Sequence, residues 1–88
     1  MPQICVELFG LARSAAGVET VSLDAATIEQ AISQLSSKFP ELAVTCFRDR
    51  RLKSGWLFSV NGRVFTSEPT DALSDGDALL LLSADAGG

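Results

Sequence analysis

The residues best suited to chemistry are the two glycines that end the chain, Gly87 and Gly88. They follow an apolar run, residues 78–82, and a short polar spacer, residues 83–86. Because glycine has no side chain and tolerates almost any φ and ψ, a diglycine end can thread a narrow slot. We therefore expect the terminal carboxylate to react, after activation as a mixed anhydride and attack by a nucleophile. The alternative is a frayed chain end, where small residues are common.

Side chains offer little catalytic chemistry. The chain has no histidine, which excludes the Ser-His-Asp and Cys-His types of hydrolase. Its two cysteines, Cys5 and Cys46, are too few for a zinc or iron–sulfur site, which needs about four ligands. We therefore expect no bound metal or cofactor, and we expect both cysteines to be buried as small apolar residues.

Length and composition indicate one soluble domain. The chain has 88 residues, of which 47% are hydrophobic, and a net charge of −4. A surface of this sign is a poor partner for nucleic acid. No apolar run approaches the ~20 residues that span a bilayer, and the N-terminus lacks the layout of a signal peptide. We therefore expect a cytoplasmic protein that binds neither nucleic acid nor membrane.

Charge is distributed unevenly along the chain. Four of the seven basic residues lie in the segment 48–53, and none follows Arg63. The C-terminal third is purely acidic, with carboxylates at Glu68, Asp71, Asp75, Asp77 and Asp85. We predict a charged loop at 48–55, and we interpret both regions as solvated surface. Alternatively, the basic segment contacts an anionic partner or substrate, and the acidic end is steered toward a basic partner.

Apolar alternation predicts strands at 3–9 and 18–23, joined by a turn or a single helical turn. Three residues of the first strand would face inward: Ile4, Val6 and Leu8. Residues 56–60 and 63–65 predict a hairpin around Asn61-Gly62, a pair that favours a type I′ turn. The last predicted strand, 78–83, is apolar on both faces. That pattern is typical of a central strand, and a second interpretation is that one face is exposed to a partner.

One main helix is predicted over 27–39. Thr27 and Gln30 fit a capping box, and Pro40 ends the helix. Apolar residues recur at helical spacing at Ile28, Ala31, Ile32, Leu35 and Phe39. A short second helix is predicted at 41–47.

This order of elements predicts an α+β fold of the β-grasp type. The main helix would pack on one face of a mixed sheet of about five strands, with the first and last strands parallel at its centre. We expect the folded domain to span 1–83 and a flexible tail to span 84–88.

Five segments together resemble the MoaD/ThiS family of ubiquitin-like sulfur carriers. They are Val6-Glu7-Leu8-Phe9-Gly10-Leu11-Ala12-Arg13, Ala16-Gly17, Asn61-Gly62, Leu73-Ser74-Asp75-Gly76-Asp77 and Gly87-Gly88. The resemblance implies that the chain is a carrier and not itself an enzyme. A partner adenylyltransferase of the ubiquitin-activating type would use ATP to form an acyl-adenylate on Gly88. A sulfur donor would then convert the adenylate to a thiocarboxylate.

The resemblance also implies roles for individual residues. Gly88 would carry the sulfur and Gly87 would provide clearance. Asn61, Gly62 and the Asp75-Gly76-Asp77 segment would form turns. Candidates for an apolar partner-binding face are Phe9, Phe58, Leu79 and Leu81, for which core packing is the competing assignment.

The leading expectation is the small subunit of molybdopterin synthase, with the large catalytic subunit as partner. The segment 41–54 favours this branch, because thiamine-pathway carriers tend to be shorter. The segment before the tail, residues 82–86, lacks the proline or aromatic residue that molybdopterin carriers often have. Carriers for thiamine or cysteine synthesis, a ubiquitin-like modifier joined through Gly88, and a plain β-grasp interaction module remain alternatives.

Overall fold

A computed structural model describes residues 2–83 of the chain. Its strands are β1 (Gln3–Leu8), β2 (Thr20–Asp24), β3 (Phe47–Arg48), β4 (Arg51–Leu52), β5 (Trp56–Val60), β6 (Val64–Thr66) and β7 (Ala78–Ser83). Its helices are α1 (Gly10–Ala16), α2 (Ile28–Lys38) and α3 (Pro40–Cys46). No helix among these residues is long and apolar enough to cross a membrane.

The main sheet has five strands in the order β2-β1-β7-β5-β6. The first and last strands pair in parallel at its centre, and the other neighbours in the sheet are antiparallel. This arrangement confirms the predicted β-grasp fold. In this central strand, Leu79 and Leu81 face the core, whereas Leu80 and Leu82 lie on the other side of the sheet and are partly exposed.

The main helix α2 forms where the capping signal predicts it. The Thr27 hydroxyl oxygen accepts a hydrogen bond from the Gln30 N–H at 3.2 Å. The Gln30 side chain reaches back to accept from the Ala26 N–H at 2.7 Å, one residue earlier than a standard capping box. Pro40 ends α2 and also begins α3, because its missing N–H is tolerated in the first turn of a helix.

The core lies between α2 and one face of the sheet, the inner face. Four α2 side chains are fully buried: Ile28, Ala31, Ile32 and Leu35. The inward residues of β1 oppose them, as predicted: Ile4, Val6 and Leu8. Each large apolar side chain buried here contributes about 1.5–3 kcal/mol relative to leaving it in water. The helix stripe and the inner face therefore hold the two layers together.

The predicted hairpin between the third and fourth strands of the sequence is confirmed as β5–β6. Asn61 and Gly62 both have positive φ, 55° and 69°, as a type I′ turn requires. The Arg63 N–H donates to the Val60 carbonyl at 3.1 Å and closes the turn.

Three local expectations are wrong. Cys5 is exposed rather than buried, because it alternates with the inward residues Ile4 and Val6 and points to the other side of β1. The segment after β1, predicted as a turn or a single helical turn, is a longer helix of seven residues, α1, which ends at Gly17 with φ of 78°. The charged segment after α3 is not a loop but a two-stranded hairpin, β3–β4.

Candidate functional site: the open face of the sheet

The C-terminal tail follows β7, so the end of this strand locates the candidate site. Since β1 and β7 are parallel, both finish at the same end of the sheet, where Leu8 pairs with Leu81. At this end Ser83 pairs with Trp56, the first residue of β5. We call it the tail end of the sheet. The predicted reacting residues, Gly87 and Gly88, lie outside the residues that the structure describes.

Three of the four predicted partner-binding residues are not accessible. Phe58, Leu79 and Leu81 are each 0% exposed and belong to the core. Phe58 and Leu81 lie directly opposite each other on the inner face, beneath the helices. A side chain that is fully covered within the domain cannot contact a partner, so the competing assignment, core packing, is the right one for these three.

The fourth residue, Phe9, is accessible and lies at the tail end. It follows Leu8 in an extended conformation, with φ of −133° and ψ of 154°, and serves as the N-cap of α1. Its side chain is 43% exposed, unlike that of the buried Leu8. The alternation of β1 therefore continues through Phe9 and places it on the side of the sheet away from α2.

The outward residues of β7, β5 and β6 form an apolar surface, which is bordered by Glu7 of β1, the residue paired with Leu80. Leu80 and Leu82 alternate with the buried leucines and are partly exposed. Leu57 of β5 lies opposite Leu82. Phe65 of β6, which is 65% exposed, completes the surface at the edge of the sheet. We call Phe9, Leu57, Phe65, Leu80 and Leu82 the open face.

A single residue in the sequence carries the signal for this face. Ser59 pairs with Leu80 on one side and with Phe65 on the other, so all three share the outer side of the sheet. A serine in an otherwise apolar strand indicates the side away from the core, although Ser59 itself is only 3% exposed between its neighbours. Because side chains alternate along a strand, an outward Ser59 places Phe58 inward and Leu57 outward in β5. The run of leucines in β7, residues 79–82, contains no such marker.

The turn that leads into β7 is fixed by the residues that were predicted to form it. Gly76 has φ of 87°, a conformation that side chains disfavour. The Asp77 carboxylate accepts hydrogen bonds from the Ser74 N–H at 2.8 Å and from the Asn61 side-chain amide at 2.9 Å. The Asn61 side-chain oxygen in turn accepts from the Ala78 N–H at 2.8 Å. The β5–β6 turn is thereby tied to the start of β7.

This network also sets the acidity of Asp77. The Ser74 N–H, and then the Asn61 amide, stabilise the carboxylate and hold the pKa of Asp77 below its usual 3.8, while slight burial opposes them. The role is structural, because the network lies at the end of the sheet opposite the tail end. It anchors the first residues of β7 and so determines which of its leucines face the core.

The side chains of the described residues offer no reactive centre. Burial raises the pKa of the Cys46 thiol to about 12, although the nearby Lys53 charge lowers it somewhat, so the thiolate is scarce at neutral pH. Among residues 2–83, no group of three or more His, Cys, Asp or Glu is arranged to hold a metal ion. The described domain instead presents the open face, which reaches the tail end of the sheet.

The sequence model of the ThiS family matches residues 6–88, a span that includes both terminal glycines. The chain belongs to the ThiS family. The family comprises ubiquitin-like sulfur carriers, related to ThiS and MoaD. Among curated proteins, no sequence matches this ThiS-family chain.

Solved structures with the same fold include several small ubiquitin-like proteins. SAMP1 from Haloferax volcanii is 28% identical, with a TM-score of 0.82 over 98% of this chain and 99% of that one. CysO, in a complex with BexX from Amycolatopsis orientalis, is 22% identical, with a TM-score of 0.81 over 97% and 99%. A putative molybdopterin converting factor subunit 1 from Pyrococcus furiosus is 19% identical, with a TM-score of 0.76 over 94% and 98%.

Proposed function

We propose that the protein carries sulfur as a thiocarboxylate on Gly88 and donates it in molybdopterin synthesis, as the small subunit of molybdopterin synthase. The observation that supports this most strongly is the ThiS family match, which extends through Gly87 and Gly88. The open face at the tail end supplies a surface on which a partner enzyme could hold the domain while it acts on the tail.

The chemistry requires two partner-catalysed steps. A carboxylate oxygen of Gly88 attacks the α-phosphorus of ATP, and pyrophosphate leaves. A hydrosulfide sulfur then attacks the carbonyl carbon of the acyl-adenylate, AMP leaves, and loss of the S–H proton gives the thiocarboxylate. Adenylation is needed because it converts a poor leaving oxygen into a good one. An adenylyltransferase of the ubiquitin-activating type is the proposed catalyst, and ATP is its cosubstrate rather than a cofactor of this chain.

The carrier's own contribution is binding and presentation. Gly87 and Gly88 add no side chains, so the tail can enter a narrow catalytic slot. The open face would dock apolar partner surface, since contiguous exposed apolar residues commonly mark interaction sites. Phe9, Leu57 and Leu82 lie nearest the tail end and would carry most of this contact.

The molybdopterin branch is proposed on the segment between α2 and β5. Residues 41–54 form most of α3 and the β3–β4 hairpin, a segment that carriers of the thiamine type tend to lack. The acceptor would be a pterin precursor bound in the large catalytic subunit. The likeness to the Pyrococcus furiosus protein concerns the fold alone at 19% identity.

The first test of this proposal is ATP–pyrophosphate exchange with the adenylyltransferase of the source organism. The unmodified chain should support exchange, and a chain without Gly88 should not, although both should unfold at the same temperature. Adding the large subunit and the pterin precursor to the thiocarboxylated chain should then yield molybdopterin. If exchange occurs but no molybdopterin forms, the carrier function would stand, and the pterin precursor would be rejected as the sulfur acceptor.

A second candidate is a protein modifier, favoured by the 28% identity with a small archaeal modifier protein over nearly the whole chain. The same acyl-adenylate would then be attacked, directly or through a thioester, by a lysine amine. Mass spectrometry of cell lysates decides between the two. Peptides with an isopeptide bond from Gly88 to lysine would support the modifier, and their absence alongside a thiocarboxylate would support the carrier.

A further inference from the structure

The β3–β4 hairpin concentrates positive charge on an acidic protein. Residues 48–53 contain four basic residues and one acidic residue, Asp49, whereas the whole chain has a net charge of −4. The basic residues are Arg48, Arg50, Arg51 and Lys53. A compact cationic patch on a protein of opposite net charge is suited to a specific anionic partner.

The local geometry of this hairpin is unfavourable by itself. Arg48 and Arg51 lie directly opposite each other across the two strands. Like charges that lie directly opposite each other destabilise a strand pair. The turn between them places two non-glycine residues, Asp49 and Arg50, at positive φ, 51° and 63°. Functional sites are where such locally unfavourable features, here the opposed like charges and the positive φ angles, are expected.

The charges of the opposed pair are not compensated within residues 2–83. Neither Arg48 nor Arg51 has a carboxylate oxygen within 4.0 Å among these residues. Arg50 approaches Glu29 on α2 at 3.8 Å, but both side chains are largely exposed. A carboxylate placed between the two opposed guanidinium groups would turn their repulsion into attraction, and arginine is the residue that binds carboxylates with two parallel hydrogen bonds.

The hairpin lies on the α2 side of the sheet, where Arg50 approaches Glu29, and two cavities extend from it toward β5. A cavity of about 400 Å³ is lined by Arg48, Asp49, Arg51, Leu52, Lys53 and Ser54. A second cavity of about 240 Å³ shares Leu52, Lys53 and Ser54 and extends to Trp56 and Leu57. Leu57 belongs to the open face, and Trp56 pairs with Ser83 at the tail end. The hairpin and the open face therefore lie on opposite sides of the sheet, and a partner that contacts both extends around the start of β5.

We infer that the β3–β4 hairpin binds an acidic segment of the adenylyltransferase that activates Gly88. This inference rests on the proposed function and adds to it the chemistry of the partner. The partner contacts the open face and extends around the start of β5 to the hairpin, where one of its carboxylates lies between Arg48 and Arg51. Interface charges of this kind steer encounter and fix register.

The chain offers a matched pair of variants for the test. Arg51→Glu and Arg63→Glu make the same change of charge, and both side chains are exposed. Arg63 closes the β5–β6 turn, away from the tail end. In Arg51→Glu the new carboxylate faces Arg48, so the hairpin should be as stable as before or more stable. Loss of folding therefore does not complicate the comparison.

The measurement is the KM for the carrier in ATP–pyrophosphate exchange, at low and at physiological ionic strength. For Arg51→Glu we expect KM to rise about tenfold at low salt, with kcat and the unfolding temperature maintained, and to depend less on salt. For Arg63→Glu we expect a change of less than about twofold, since it lies outside the contact.

Each result that differs from these expectations would reject a specific claim. Equal KM values for the two variants would reject the hairpin as a docking site and leave the carrier function intact. No exchange with the unmodified chain would reject the proposed function and this inference together. If light scattering shows the unmodified chain to be a dimer that Arg51→Glu dissociates, the acidic occupant is a second copy of the chain, and the inference is wrong.

Discussion

Leu81 and Leu82 are adjacent residues of the same type in β7, yet their environments differ completely. Leu81 is 0% exposed and packs beside Phe58 beneath the helices, whereas Leu82 is partly exposed opposite Leu57 on the open face. Residue type alone therefore does not decide between core and interface in a central strand. The decision is made by register, since a shift of one residue would exchange the two faces.

The largest predicted effect is a difference in stability between variants of these two leucines. Leu81→Asp would bury an unpaired carboxylate and remove core packing, at a cost of at least about 4 kcal/mol, much of the ~5–15 kcal/mol that stabilises a typical domain. Leu82→Asp should lower the unfolding free energy far less. Urea denaturation followed by Trp56 fluorescence gives both values. Similar losses for the two variants would contradict the assignment of the two faces.

The two cysteines should show the same contrast in their reactivity. Cys5 lies on the outer side of β1, whereas Cys46 is buried with its pKa raised to about 12. At pH 8 the thiolate fraction of Cys46 is about a thousandfold below that of an ordinary cysteine. One thiol should therefore react promptly with Ellman's reagent in the folded protein, and the second only after unfolding in urea. Two equally fast thiols would show that the interior is open.

The open face itself should affect partner binding more than stability. For Leu82→Asp we expect the KM for the carrier in ATP–pyrophosphate exchange to rise about 10–100-fold, because a charge would replace apolar contact at the centre of the docking surface. Val44→Asp is the control, since Val44 is a 73% exposed apolar residue on α3, outside the open face. If Val44→Asp were as damaging as Leu82→Asp, the open face would not be the docking surface.

A smaller effect should come from the network that sets the register of β7. Asn61→Gly keeps the positive φ of the turn but removes the hydrogen bonds to Asp77 and Ala78. Each hydrogen bond lost typically costs about 0.5–1.5 kcal/mol. We expect a decrease of this order in the unfolding free energy, measured in urea. Asn61→Ala should cost more, because it also places a side chain at positive φ.

The smallest predicted effect is a pH dependence that comes from Asp77. Its pKa in the folded protein lies below the unfolded value near 3.8, so its stabilising contribution is present at neutral pH. That contribution is lost as the pH falls below about 4 and the carboxylate becomes protonated. The difference in unfolding temperature between the unmodified chain and Asp77→Asn should therefore shrink from pH 7 to pH 3. If the difference in unfolding temperature grew on acidification, the pKa of Asp77 would be raised rather than lowered by folding, which would contradict this assignment.

Much of the fold could be predicted because the relevant signals are local. The Thr27 cap, the helical spacing through Leu35 and the Asn61-Gly62 turn each specify an element without reference to distant residues. The central position of β7 was predicted from its apolar run, residues 78–82, a pattern typical of central strands, although here the outer leucines, Leu80 and Leu82, are only partly covered. The parallel pairing of β1 and β7 then follows from the order of elements.

What could not be predicted depends on contacts between elements. The uniform leucines of β7 carry no alternation, so the inward assignment of Leu79 and Leu81 needed the register with β5. The β3–β4 hairpin lacks the glycine or asparagine that usually marks such a turn, and its two strands have only two residues each. The wrong expectation for Cys5 was avoidable, since alternation with Ile4 and Val6 already places it outward.

The most direct test is the intact mass of the chain after incubation with ATP, the adenylyltransferase and a sulfide donor. We predict a mass increase equal to the replacement of one oxygen by sulfur, located on Gly88 by fragmentation. The increase should be absent when ATP is omitted and when Gly88 is deleted. An unchanged mass, with the same enzyme shown to be active on another carrier, would contradict the proposal that this ThiS-family protein carries sulfur.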